Sequence, residues 1–198
     1  MTTDTKSRIL DTALALFNER GSAGVTTNHV AEALSISPGN LYYHYRNKAE
    51  IIRALFARIM AEWATNYALP PGVLPDPEIL ARMLRGNFEI QWRYRFFFRD
   101  LPTLLHIDPE LAGAYRANRD AGFLNTLHLV RSFAAAGVID HPGSDTGIDD
   151  IAQLLWLVGD LWLVFKDIGG APLSPDDMDQ GVRLFWRIIN QPTERTTK

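Results

Sequence analysis

The sequence predicts an all-α protein, with a small N-terminal three-helix module joined to a larger helical domain. Apolar residues recur at spacings of three and four along most of the 198 residues. No segment shows the apolar–polar alternation of a half-buried strand, and Pro- and Gly-containing breakers cut the chain into pieces of helical length. With 46% hydrophobic residues, the chain can bury a sizeable core.

The first helix is expected from about Thr5 to Arg20. Ile9, Leu10, Ala13, Leu14, Leu16 and Phe17 recur at helical spacing, and Arg20-Gly21 supplies a cation and a stop. Thr26 and Thr27 can cap a short second helix carrying Val30, Ala31, Ala33 and Leu34. Ser35-Ile36-Ser37-Pro38-Gly39 then breaks the pattern. Ser37 suits an N-cap and Pro38 the first position of a third helix, which runs through His44. Asn47 and Glu50 resemble a capping box that opens a fourth helix, reaching about Ala68. Leu69-Pro70-Pro71-Gly72 and Pro75-Asp76-Pro77 interrupt the chain there. Further helices are expected over roughly Pro77 to Asp100, Asp108 to Ala136, Asp149 to Ile168 and Ser174 to Asn190, with a flexible tail over 191–198.

Zero cysteines exclude disulfides, thiolate metal sites and a cysteine nucleophile, and fit a cytoplasmic address. The start of the chain lacks the basic and then apolar pattern of an export signal, so export is not expected. The longest apolar run, Ile151 to Phe165, is interrupted by Gln153, Gly159 and Asp160 and falls short of the ~18–20 apolar residues of a membrane span. The net charge of −3 has to be read by region. Through residue 50, Lys6, Arg8, Arg20, Arg46 and Lys48 balance Asp4, Asp11, Glu19, Glu32 and Glu50, so the deficit lies beyond that point. Attraction to phosphate would then come from where cations are placed, not from bulk charge.

The segment from Thr26 to Lys48, TTNHVAEALSISPGNLYYHYRNK, carries the functional signal. Two short helices joined by a tight turn let the second lie in a DNA major groove while the first braces it. In the third helix, the N-terminus offers free amides to phosphate and Gly39 removes a side chain where DNA must come close. Asn40 has the donor and acceptor geometry suited to adenine. Tyr42, Tyr43 and His44 can contact phosphates or thymine methyls, and Lys48 can reach the backbone as a cation. Leu41 and Tyr45 are expected to pack beneath the module.

This segment resembles the TetR/AcrR family of one-component regulators. The likeness lies in the paired threonines opening the second helix, Ser37-x-Gly39 opening the third, Leu41-Tyr42-x-His44-Tyr45, and Lys48 at the start of the fourth. It is close over the first quarter of the chain and extends to the rest in length and helical pattern. One departure is Ser35, at the turn position that is often Gly in this family.

The resemblance implies a helix-turn-helix DNA-binding domain over 1–47, a connecting helix over 48–68 and an effector-binding and dimerisation domain over 69–190. It implies a regulator and not an enzyme: a homodimer joined through its two C-terminal helices, binding a palindromic double-stranded operator, and commonly a repressor released by a small effector. Thr26, Thr27, Tyr42 and Lys48 take the place of phosphate clamps, and the full expected DNA-contacting set is Thr26, Thr27, Ser37, Pro38, Gly39, Asn40, Tyr42, Tyr43, His44 and Lys48.

The larger domain is rich in aromatics, most of them expected in the core, and a helical domain of this size can enclose an apolar cavity with few polar groups. Gln91, Arg95, Arg119, His128 and Asp160 are polar positions within apolar helical stretches. Trp92, Phe96, Tyr115, Arg119, Phe123, His128, Trp156 and Asp160 are the expected effector contacts. No cofactor or metal is expected, because the five histidines lack metal-ligand spacing and no phosphate-binding Gly-Lys-Ser/Thr loop occurs. A helical-bundle enzyme and a helical adaptor whose aromatics bind another protein are the competing readings, and the adaptor would not require an exposed, basic recognition face.

Overall fold

The computed structural model describes residues 4–69, 72–139 and 145–190. The described residues form nine α-helices and no strand. They are α1 (Thr5–Arg20), α2 (Thr27–Ala33), α3 (Pro38–His44), α4 (Lys48–Asn66), α5 (Pro77–Arg93), α6 (Arg95–Ile107), α7 (Pro109–Ala135), α8 (Asp145–Ile168) and α9 (Pro175–Ile189). Pro70, Pro71 and the tail expected over 191–198 lie outside the described residues. None of the described helices is long and apolar enough to cross a membrane.

Local chemistry explains the first four helices. Thr26 Oγ1 accepts from the His29 amide and His29 Nδ1 accepts from the Thr26 amide, each at 3.3 Å, so a histidine completes the cap of α2. Ser37 Oγ accepts from the Asn40 amide at 3.1 Å, and Pro38 opens α3 where no donor is needed. At α4 the expected box is displaced by one residue. Asn47 Oδ1 accepts from the Glu50 amide, but the Glu50 carboxylate accepts from the Arg46 amide. The turn between α2 and α3 holds Ser35 at φ 54°, in the left-handed region that glycine occupies most easily.

One expected element is corrected. The helix expected over 77–100 is two helices, broken at Tyr94 (φ −107°, ψ 31°), and the second continues to Ile107 with Pro102 inside it. Pro102 lies on the exposed side of α6, where the missing amide weakens the helix without ending it. Asn18 on α1 holds the break: its Nδ2 donates to the Arg93 carbonyl (2.8 Å) and its Oδ1 accepts from the Phe96 amide (3.1 Å).

A continuous core joins module and body. Ile9, Ala13, Phe17, Val25, Ile51 and Leu55 are fully buried among α1 to α4, and Phe17 meets Phe96 of α6 at 5.0 Å between ring centres. Leu41 and Tyr45 are buried beneath α3, as their spacing predicts. α4 ties the layers together. Arg58 pairs with Asp11 of α1 (2.6 Å), Arg53 with Asp108 at the start of α7 (2.8 Å), and Glu62 accepts from Tyr94 and Arg93.

Candidate nucleic-acid interface and regulatory cavity

The scaffold buries one side of α3 and leaves the other open. Ser37, Pro38, Gly39 and Asn40 are exposed, as are Tyr42 (61%) and Tyr43 (85%), while His44 is half-buried with Tyr43 edge-on to its ring. Tyr42 and Tyr43 thus stand in solvent and take no part in the module's core. At Gly39 an added Cβ would meet nothing nearer than Ser37 Oγ at 3.9 Å, so internal packing does not require glycine there. Thr26 and Ser37 use their oxygens as cap acceptors, which leaves each hydroxyl hydrogen available to an outside acceptor. Thr27 is half-buried beside them.

Lys48 is less free than its sequence position suggests. Its ammonium donates to the Ser22 carbonyl at 2.6 Å, which leaves two N–H bonds for other acceptors. Buried Ser22 is also held by the regulatory body, because Asp100 of α6 accepts from its amide (2.9 Å) and its hydroxyl (2.6 Å). A chain of contacts thus runs from α6 through Ser22 to the first residue of α4.

The helical body contains a cavity of about 450 Å³ walled by α4, α5, α7, α8 and α9. Its walls are largely apolar, with Trp63, Tyr67, Phe133, Trp156 and Phe185 among them. Asn87 and Gln91, one turn apart on α5, are 5% and 1% exposed and line it, yet Asn87 Nδ2 and Gln91 Oε1 have no hydrogen-bond partner; Trp63 Nε1 is in the same position. A buried polar atom without a partner costs about 1–3 kcal/mol. All three side chains line this cavity. A second cleft, about 910 Å³, lies between α6, α7 and α8 under Leu154, Leu157 and Leu161. Trp156 and Asp160 line both spaces. The Trp156 indole donates to Thr126 Oγ1 at 3.2 Å and lies against Gly122, where a Cβ would come within 2.7 Å of the ring.

The expected effector residues separate into three groups. Trp156 and Asp160 line both spaces, whereas Tyr115, Arg119 and Phe123 line the second cleft alone. Trp92, Phe96 and His128 line neither. Phe96 is fully buried against Phe17, Trp92 stacks under the Arg95 guanidinium at 4.7 Å, and His128 is exposed on α7. Sequence reasoning missed Asn87 as a cavity residue, although its position four residues before Gln91 in an apolar stretch is a usable signal.

Among the described residues no cluster of three or more His, Cys, Asp or Glu is placed to hold a metal ion. Burial pushes the Asp160 carboxyl up, against smaller opposing effects of the Tyr115 hydroxyl and Arg119. Burial likewise raises the Tyr115 hydroxyl, with the neighbouring carboxylate adding to the effect.

An exposed, braced recognition helix carried on a helical body with an internal cavity defines a class, the helix-turn-helix DNA-binding regulators. Comparison with known proteins narrows it. Residues 9–55 match the family described as bacterial regulatory proteins of the tetR family, and residues 58–193 match a family described as bacterial transcriptional repressor. The structure is similar to a TetR-family transcriptional regulator from Marinobacter aquaeolei VT8, with a TM-score of 0.85 and 32% identity, over 94% of this chain and 90% of that one. Among curated proteins, the chain is 33% identical to the biofilm operon negative regulator IcaR of Staphylococcus epidermidis over 48% of this chain and 44% of IcaR. It is 38% identical to the class D tetracycline repressor of Escherichia coli over 33% of this chain and 29% of that one. The matches thus span less than half the length of these curated relatives. The chain belongs to the TetR family of transcriptional regulators, which bind DNA and are not enzymes.

Proposed function

We propose that the chain is a cytoplasmic repressor that binds a palindromic operator as a homodimer and is released by a small, largely apolar or aromatic effector. The exposed face of α3 carries the reading: Asn40 reads base edges, Tyr42, Tyr43 and His44 contact phosphate or thymine methyls, and Thr26, Thr27, Ser37 and Lys48 hold the phosphate backbone. Pro38 fixes the start of the helix, and Gly39 lets the duplex approach. Residues 1–47 act as the DNA-binding domain, 48–68 as the connection and 69–190 as the sensing and dimerising body.

Dimerisation is supported by an apolar stripe on α8. Leu154, Leu157, Leu161, Phe165 and Ile168 recur at spacings of three and four, are 38–80% exposed, and are joined by Trp186 of α9 at 39%. A stripe of this kind on a helix of a soluble regulator fits a second copy of the same helices across a two-fold axis, and two-fold symmetry suits palindromic sites. The effector, filling the cavity beneath α5 and α8, favours a conformation in which the two copies of α3 are mis-spaced for successive major grooves.

Selection of bound sequences from a random duplex pool by the full chain tests this reading. Enrichment of an inverted repeat whose half-site centres lie about one helical turn, or a multiple of it, apart is expected. Failure to enrich any sequence would overturn it.

A further inference from the structure

The polar atoms left open in the cavity specify what it takes. We infer that the 450 Å³ cavity binds an uncharged lipophile whose single polar group both accepts and donates a hydrogen bond, a carboxamide or an alcohol, held between the side-chain amides of Asn87 and Gln91. This inference deepens the effector reading and rests on it.

The two amides stand one turn apart on the same face of α5 and both line the cavity, and each side-chain amide carries one hydrogen-bond acceptor and one donor group. A carboxamide or hydroxyl satisfies both at once. The charge balance points the same way. No lysine, arginine or histidine lines this cavity among the described residues, so an anion entering it would lose its hydration without a counter-charge. Among the described residues Asp160 is the one charged side chain on the wall. It belongs equally to the neighbouring cleft, where Tyr115 and Arg119 face it, so a cation would compete with a guanidinium already there. Trp63 lines the same cavity, and its indole ring adds to the apolar wall. The remaining wall, with Met83, Leu129, Phe133 and Phe185, receives an alkyl or aryl body, and the volume suits a ligand of drug-like size.

Three probes of one chain length but different head groups test the inference: decanamide, decanoate and decylammonium, titrated below their aggregation limits against the full-length wild-type protein without DNA. Calorimetry, or the fluorescence of Trp63 and Trp156 on the cavity wall, reports binding. Decanamide is expected to bind at least tenfold more tightly than either charged probe. Asn87→Leu and Gln91→Met, read separately so that misfolding of one leaves the other informative, should each weaken decanamide at least tenfold. Their melting temperatures should equal or exceed the wild type, because each removes a buried unpaired atom. Decanoate or decylammonium binding as tightly as decanamide would overturn the inference while leaving the effector reading intact. So would decanamide binding unchanged by both substitutions. If none of the three probes binds, the cavity is not an effector site, and the effector reading fails together with the inference.

Discussion

The contact between Ser22 and Asp100 is the shortest polar link between the DNA-reading module and the regulatory body, and Asp100→Ala tests what it contributes. Asp100 Oδ2 accepts from the Ser22 amide at 2.9 Å and hydroxyl at 2.6 Å, and its other oxygen meets Arg99 Nε at 3.2 Å. Hydrogen bonds to a charged acceptor contribute about 1.5–3 kcal/mol each when buried. Asp100 is itself partly exposed, so the two together are worth roughly 2–4 kcal/mol after discounting for solvent. The Arg99 pair adds at most about 1 kcal/mol, and alanine returns about 0.5 kcal/mol of helix propensity. The net expected loss is about 1.5–4.5 kcal/mol, or roughly 3–18 °C in melting temperature for a chain of this length.

Urea unfolding at fixed protein concentration measures it, since the stability of a dimer depends on concentration. Ser22→Ala removes only the hydroxyl bond and should cost about 1 kcal/mol. In the double variant that bond is already lost, so Ser22→Ala/Asp100→Ala should be no less stable than Asp100→Ala alone. A loss below about 0.5 kcal/mol for Asp100→Ala, or strict additivity in the double variant, would refute the reasoning.

Three further outcomes follow from other sites. Ser35 sits at φ 54°, so Ser35→Gly should be neutral or stabilising, whereas Ser35→Val should lose about 1–3 kcal/mol in urea melts; equal stability of Val and Ser there would contradict the account. Gly122→Ala would drive a Cβ to 2.7 Å from the Trp156 ring, so its overpacking cost of about 1–3 kcal/mol should offset or exceed the ~1 kcal/mol gained in helix propensity, and a clear rise in stability would count against it. Burial raises the Asp160 carboxyl, so the folded state holds its proton more tightly than the unfolded chain does. This group's contribution to stability is therefore lost as pH rises from the unfolded value of about 4 through the folded one. Asp160→Asn should flatten that segment of the stability–pH curve and leave the protein at least as stable at pH 7. An unchanged curve would contradict this.

The parts of the molecule legible in the sequence are those fixed by neighbours along the chain. Ser37 and Pro38 start α3, Thr26 starts α2 and the Arg20-Gly21 step ends α1 through local hydrogen bonding and backbone preference, which the residue types announce. The break at Tyr94 has no such announcement. It is held by Asn18, 75 residues away in sequence from Arg93, and no glycine or proline marks it. The cavity was legible as a domain-level expectation but not residue by residue. His128 and Phe96 are the kinds of residue that contact ligands, yet which side of a long helix faces the cavity is set by packing against four other helices. Gln91 stood out as polar among apolar residues. Asn87 carries the same signal one turn earlier, and only their shared lack of a partner, seen in three dimensions, separates them from ordinary buried amides.

The claim that α3 reads DNA sequence is tested most directly by comparing affinities for the selected operator and a scrambled duplex of equal length, at one salt concentration, for the wild type and Asn40→Ala. The account predicts a wild-type preference of about a thousandfold or more for the operator, and loss of about one to two decades of that preference in Asn40→Ala. Equal wild-type affinity for the two duplexes would contradict it.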